Sequence, residues 1–493
     1  MLRYLVLPFF AFPLLSQAQV SYFNRLYDEN DTWQGFAAAV ENKDNPSSFL
    51  LVGINIGFSI SINYIWNCTI NPEGDTIANA RITAGDKSAY YIGFQSTIPG
   101  TPGYFIAGTW EQYVDQVQFA DGYLMRLDQT GNRIWEKKYG GAKFDAFDAM
   151  IMDKEKNLVM AGISYNFNDT TEGDIYVVKT DTTGEVIWQK SWGTNNFPER
   201  CWGIDTTSDG GYILAGSQGF DTQESVFVIK IDSLGNQLWK KNFSGKRIPH
   251  IKTLQNGDFL LTTGAPVNGS IDHAKIARIS PAGNILWLKH FPGKEWHAWF
   301  SYPAELNDGA LVNAGGEMEF DSTNGNYWVL GTLTKTDAQG NLIWKRQYYT
   351  RHDLDNYFFG MIPTSDLGFL MYGFAYRDSN NRQDAWAVKV DSLGCLEPGC
   401  DGSVAAPEAE ATAVALNIYP NPVAERFTVE TPDEPMLGLR LCDLSGRVLD
   451  DVQFFRQYPV RQYSLSLAGQ PPGVYVLSVR TNKGWVGRKV VKQ

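Results

Sequence analysis

The sequence predicts an all-β protein: a seven-bladed β-propeller of four-stranded blades, followed by a small C-terminal β-sandwich. Three observations predict it. The composition is turn-rich, one strand–turn–Trp signature recurs about every fifty residues, and the pattern changes after residue 400. With 493 residues the chain exceeds one ordinary core, so one unit is large or repetitive. It holds 47 Gly and 22 Pro, 43% hydrophobic and 19% charged residues, which suits a globular, turn-rich chain and not a disordered or coiled-coil one. A formal net charge of −12 argues against nucleic acid as a partner.

The first element is a secretory signal peptide over residues 1–18. Arg3 is the positive end, Tyr4 to Leu15 is apolar with Pro8 and Pro13 inside it, and Ser16-Gln17-Ala18 places small residues at a cleavage site. The apolar run is too short to span a bilayer, and no later run approaches the ~20 residues that spanning needs, so no transmembrane segment is expected.

Residues 19–400 form the repeat region. The signature reads LMRLDQTGNRIWEKKY from Leu124, VVKTDTTGEVIWQKSW from Val177, VIKIDSLGNQLWKKNF from Val228, IARISPAGNILWLKHF from Ile276 and LTKTDAQGNLIWKRQY from Leu333. With weaker copies at both ends the turn glycines are Gly74, Gly131, Gly184, Gly235, Gly283, Gly340 and Gly394, spaced 48 to 57 residues apart. A second set of strands ends in Gly53, Gly108, Gly162, Gly216, Gly264, Gly315 and Gly373, again seven. Two tight turns and four short strands per unit describe a propeller blade. The turn Asp serves the backbone ahead of it and the Gly takes positive φ; one carboxylate per turn is too few for calcium, so no metal is expected. The repeat Trp is expected to pack between blades. The last repeat lacks a Trp strand, and Phe23-Asn24-Arg25-Leu26-Tyr27 matches Trp344-Lys345-Arg346-Gln347-Tyr348, so the N-terminal strand is expected to complete that blade. Cys395 and Cys400 flank Leu396-Glu397-Pro398-Gly399 and are expected to form a disulfide outside the cytoplasm, whereas Cys68, Cys201 and Cys442 read as buried thiols.

Tight turns on one propeller face leave the longer loops on the other, and that second face carries the candidate site. Asp148, Arg200, Trp296, His297, Trp299 and Asp355 fall in runs read as blade-to-blade loops. Aromatic faces beside polar groups suit a sugar or peptide, and Asp148 with Asp355 could form a glycosidase pair. The other reading is that these residues plug the channel mouth. No catalytic or cofactor motif appears, so no cofactor is expected.

The Trp repeats resemble those of quinoproteins and of the outer-membrane assembly lipoprotein family, with one residue fewer between Asp and Gly; they also look like the sialidase Asp-box at a different spacing. These resemblances imply a propeller and no particular activity. After an acidic, small-residue linker over 401–413, the segment 414–493 carries Tyr419-Pro420-Asn421-Pro422, Asp443-Leu444-Ser445-Gly446-Arg447, Gly473-Val474-Tyr475 and Lys489-Val490-Val491 in order. It resembles the type A C-terminal sorting domain of cargo for the type IX secretion system of Bacteroidota. Residues 411–493 have net charge +3 against −13 for residues 19–400, which suits separate roles. The resemblance implies Sec export to the periplasm, outer-membrane passage, and removal of the domain by a sortase-like peptidase, with release or surface attachment. The leading expectation is therefore a secreted or cell-surface propeller that binds glycan or protein through its long-loop face. The alternatives are an extracellular hydrolase or lyase acting on polysaccharide or peptide, and an architectural surface protein.

Overall fold

The computed structural model describes residues 22–396 and 415–493, apart from 29–32, 43–47, 57–63, 85–88, 101, 115–116, 167–172, 195–196, 220–224, 244, 265–272, 293–297, 322–325, 352, 378–381, 444–447, 455–458 and 482–483. The predicted signal peptide, Cys400 and the linker 401–413 lie outside them. Among the described residues every element is a β-strand, and no helix is long and apolar enough to cross a membrane.

Up to residue 390 these strands make four-stranded antiparallel sheets, consistent with a propeller. Taken in order, their first strands are Trp33–Glu41, Ala89–Pro99, Asp145–Met152, Glu199–Thr206, Lys246–Thr253, Ala298–Glu305 and Asn356–Pro363. Each first strand packs on the first strand of the next sheet, and Asn356–Pro363 packs on Trp33–Glu41, so these strands surround one axis. The last sheet is composite. Gln383–Val390 has Phe23–Tyr27 as its antiparallel outer neighbour, with Asn24 opposite Val388 and Leu26 opposite Trp386.

The contacts between consecutive sheets follow from the repeat. In five of the turns an Asp carboxylate accepts the N–H groups two and four residues on, as Asp232 does from Leu234 at 2.9 Å and Asn236 at 2.8 Å, while Asn71 and Ser280 accept the N–H four residues on in the other two. The Gly that ends the turn has φ between +73° and +85°, where a side chain is strained. It also lies beneath the Trp of the preceding sheet: Gly235 under Trp188, Gly283 under Trp239, Gly340 under Trp287 and Gly394 under Trp344. Trp188 Nε1 donates to Ser233 O at 3.1 Å and Trp239 Nε1 to Pro281 O at 3.2 Å, tying each indole to the turn it covers. Four residues after the Trp, Tyr139 and Tyr348 donate to the carbonyls of Gly184 and Gly394. At the composite sheet Phe23 lies over Gly74 and Tyr27 donates to the Gly74 carbonyl at 2.8 Å, so the N-terminal strand makes the same two contacts.

The C-terminal region has a three-stranded sheet of Asn417–Tyr419, Arg426–Glu430 and Gln462–Ser466, and a four-stranded sheet of Val448–Gln453, Gly438–Asp443, Gly473–Thr481 and Gly484–Lys492. Val423, Phe427, Val429, Leu441, Leu477 and Val479 belong to their common apolar core.

Two glycine substitutions separate the Trp cover from backbone strain. A Cβ on Gly340, at φ +76°, would sit 2.8 Å from Trp287, whereas one on Gly210, at φ +86°, meets nothing within 4 Å. Gly210→Ala is expected to cost about 1–2 kcal/mol from backbone strain alone. Gly340→Ala is expected to cost at least 1 kcal/mol more through overpacking, roughly. Equal shifts of the thermal midpoint would show that the Trp cover is not tight.

Candidate functional site

Every one of the seven first strands breaks register with its sheet neighbour at a similar depth: between Phe36 and Ala38, Ile92 and Ser96, Phe147 and Ala149, Cys201 and Gly203, Lys246 and His250, Phe300 and Pro303, and Phe358 and Gly360. A bulge leaves residues without a ladder partner and re-aims their side chains. Here those residues include Asp148, Trp202, Tyr302 and Phe359, set on strands that surround the axis.

Asp148 and Arg200 come from the third and fourth sheets and form a two-pronged ion pair. Arg200 Nε donates to Asp148 Oδ2 at 2.7 Å and Nη2 to Oδ1 at 2.6 Å. The Asp148 side chain is 1% exposed and that of Arg200 28%. Burial raises the Asp148 pKa, with Arg200 opposing; burial lowers that of Arg200, but Asp148 reverses the shift and leaves it raised. The guanidinium lies 4.3 Å from the centre of the Trp202 ring, and Trp202 Nε1 donates to Ser217 Oγ at 2.9 Å.

His250 of the fifth sheet and Tyr302 of the sixth stack with ring centres 4.2 Å apart. Burial pushes His250 down to about 4, and its Nδ1 has no hydrogen-bond partner among the described residues. Burial, with the charge of Asp148 adding, pushes Tyr302 up to about 12. Asp148 and Tyr302 each fall in the register break of a first strand, on the third and sixth sheets. Gly360 admits Tyr302 and Tyr372 together, since a Cβ there would collide with the Tyr372 hydroxyl and the Tyr302 ring. Among the described residues this wall is polar: it sets the Arg200 guanidinium against the Asp148 carboxylate, and burial favours the neutral forms of His250 and Tyr302. Beside it on the seventh sheet, Phe374 packs against Tyr357, Phe359 and Tyr376 at 4.7, 5.2 and 5.8 Å.

The site expected from sequence is corrected in one respect. Asp148, Arg200 and Trp299 lie in the first strands Asp145–Met152, Glu199–Thr206 and Ala298–Glu305, not in loops. Charged residues inside short strands obscured the alternation, and the bulges shift it by a residue. Asp148 and Arg200 are brought together. Asp355, just before Asn356–Pro363, accepts instead from Val329 N at 2.8 Å and Tyr357 Oη at 3.2 Å. The two carboxylates are thus held by separate partners. Trp296 and His297 fall outside the described residues. Sequence reasoning missed the roles of Trp202, His250, Tyr302 and Gly360. The available signal was an aromatic or charged residue followed by a small one, as in Asp148-Ala149, Trp202-Gly203 and Phe359-Gly360.

The cysteines divide as follows. Cys68, Cys201 and Cys442 are free, the first two buried; burial raises Cys201. Cys395 is buried, and Cys400 lies outside the described residues.

In the C-terminal region Asn421 Nδ2 donates to Lys489 O at 2.9 Å and its Oδ1 accepts from Val491 N at 2.8 Å, tying the Tyr419-Pro420-Asn421-Pro422 motif to the last strand. Val474 pairs with Val491, and Tyr475 Oη donates to Pro471 O at 2.6 Å. Asp443 ends its strand, while Gly446 and Arg447 lie outside the described residues.

Residues 417–493 match the secretion system C-terminal sorting domain, and the protein is a type IX-secreted protein of the cell surface or extracellular space. No curated protein matches the chain. Among solved structures it is similar to a protein of unknown function from Dyadobacter fermentans, at 10% identity over 62% of this chain and 96% of that one with a TM-score of 0.44. It is also similar to an ulvan lyase, at 10% identity over 75% and 96% with a TM-score of 0.48. An α-L-arabinofuranosidase from Fusarium graminearum gives 10% over 76% and 99%, with a TM-score of 0.40. At such scores these likenesses add nothing to the geometry above.

Burial of neutral His250 makes stability depend on pH. Its pKa is about 4 in the fold, against 6.5 when exposed, so the unfolded chain binds the extra proton and stability falls as pH drops through that window. His250→Gln is expected to remove about 2–3 kcal/mol of the loss between pH 7 and pH 4.5. Denaturation curves of the two proteins at both pH values check this; identical pH dependence would refute it.

Proposed function

We propose that this type IX-secreted protein is a seven-bladed propeller, closed by the Phe23–Tyr27 strand, that binds an uncharged, hydroxyl-rich glycan at its axis. Residues 19–400 are the binding module and residues 414–493 a β-sandwich used for sorting, with removal in the linker 401–413 by a sortase-like peptidase. A Cys395–Cys400 bridge closes the module's end. The observation that carries the binding reading is the composition of the axial wall: Trp202 beside the Asp148–Arg200 pair, and Tyr302 against neutral His250. Aromatic faces stack on sugar rings, and fixed donors and acceptors orient hydroxyls. A compensated ion pair keeps its geometry while offering no net attraction to an anionic ligand. Asp148 is spent on Arg200, and Asp355 on Val329 and Tyr357, which favours binding over carboxylate-based hydrolysis.

Glycan-array binding by the full chain, followed by calorimetry on the glycans retained, tests this. Trp202→Ala is expected to weaken binding by about 2 kcal/mol or more, the cost of a buried aromatic anchor. Asn236→Ser, on the opposite turn face, should leave it unchanged. Preference for sulfated or uronate glycans over neutral ones would overturn the ligand class, and loss of binding in the Asn236 variant alone would overturn the site.

The sorting assignment predicts that a chain lacking residues 417–493 accumulates in the periplasm. Fractionation of producing cells measures this, and normal levels of the truncated protein outside would contradict it.

A further inference from the structure

The Trp repeats share a template, and the sixth sheet departs from it at two places that belong to one apolar cluster. Five residues after the repeat Trp the other copies have Gly140, Gly193, Ser244 and Pro292; this one has Tyr349. Seven residues before the turn Asp or its equivalent the other copies have Tyr64, Asp121, Asp174, Ser225, His273 and Asp384; this one has Leu330. Apolar groups have replaced mainly small or polar ones; the Leu330 position is buried in sister copies too, as Asp174 and Asp384 show, but the apolar neighbours of buried Leu330 and Tyr349 are particular to this sheet. Their cluster is the core of the sorting domain, with Val423, Phe427, Leu441 and Leu477.

Tyr463 of the sorting domain packs edge-on against Phe454 at 5.2 Å. Its phenol is raised by burial and by the charges of Asp450, Glu319 and Asp353, the last two belonging to the propeller region. The net charges of the two modules, +3 and −13, also favour their association.

We infer that the sixth sheet carries a built dock, Leu330 with Tyr349, for the chain's own sorting domain, and that the docked domain braces the seam of the ring. The seam connection is direct: the Tyr349 carbonyl accepts from Asn24 Nδ2 at 3.2 Å, and Asn24 Oδ1 accepts from Trp386 Nε1 at 2.7 Å. Asn24 belongs to the N-terminal strand that completes the last sheet. The sorting domain therefore rides on a closed ring in one orientation, and not as a freely tethered tag. Cutting the linker weakens the attachment to this non-covalent dock, and departure of the domain uncovers two apolar side chains. Until then the dock's occupant is residues 417–493 of the same chain.

The test uses the full-length chain and the residues the sister repeats carry: Leu330→Asp with Tyr349→Gly. Hydrogen exchange is followed in the sorting-domain strand Gln462–Ser466 and, as a control on the ring, across Asp145–Met152 and Asp174–Thr180. The dock predicts at least about tenfold faster exchange in Gln462–Ser466 with the control strands unchanged. Equal exchange in Gln462–Ser466 of variant and native chains, with the control strands intact, overturns it. Should the control strands also lose protection, the native chain cut in its linker at Glu408 or Glu410 decides the matter. The dock predicts that the sorting domain co-elutes with the propeller in gel filtration at micromolar concentration, and elution as two separate species overturns it.

Discussion

A tryptophan laid over the turn glycine of the next sheet is the contact on which this architecture depends. The turn needs positive φ and the indole needs an unobstructed peptide, and only glycine meets both demands. Gly184 lies close to Trp135, and Gly235, Gly283, Gly340 and Gly394 repeat the arrangement under the following Trp residues. Each sheet thereby fixes its successor, and angular errors cannot accumulate around the ring. The first sheet lacks a Trp at this position, and there Asn67 Nδ2 donates to the Gly131 carbonyl at 2.7 Å instead. At the other end of the chain Phe23 and Tyr27 supply the aromatic cover and the hydroxyl.

Rigid outer locking leaves the axis as the place where the sheets can differ. Strands converging on one axis cannot all continue a regular ladder into the centre, and a bulge in every first strand accommodates the crowding. The residues so displaced are not uniform: Asp148, Trp202, Tyr302 and Phe359 on four sheets, and Ala37 on the first. An ion pair from adjacent sheets and a His–Tyr stack from two others give the axis distinct chemistry around its circumference. The pairing of Asp148 with Arg200 follows from the fold as well, since an unpaired charge so deeply placed would carry a large desolvation cost.

The repeat was legible because its signals are local. Asp, Gly and Trp at fixed spacing each have a turn or packing reason, and they recur whatever fills the space between. The sorting domain was legible for a similar reason, since Asn421 meets the final strand through backbone groups that any sequence with the motif supplies. The axis was not legible. A register shift moves Asp148 off the alternation that marks a strand, so its segment reads as a loop. Asp148 meets Arg200, and His250 meets Tyr302, only across neighbouring sheets. His250 sat in a run of basic residues, Lys246 and Arg247, that gave no sign of the burial holding it neutral.

Repetition makes departures informative, because six sister copies show what the fold alone requires at each position. Where all copies agree, as at the turn glycines, the residue answers to geometry. Where one copy departs in chemistry, the neighbours particular to that copy bear on the cause. Leu330 and Tyr349 depart together, on one sheet, and are the propeller-region side chains that, among the described residues, group with the core of the sorting domain. Phe23 departs from Trp at the seam, where the chain's beginning must reach its last sheet without a hairpin turn. The register of Phe23–Tyr27 against Gln383–Val390 accordingly lacks the shift that every turn-linked outer strand shows, from Thr69/Ile70 through Lys335/Thr336. That shift is thus a property of the Asp–Gly turn and not of the blade. A strand supplied from elsewhere in the chain can complete the sheet provided it brings the aromatic cover and the terminal tyrosine, and Phe23–Tyr27 brings both.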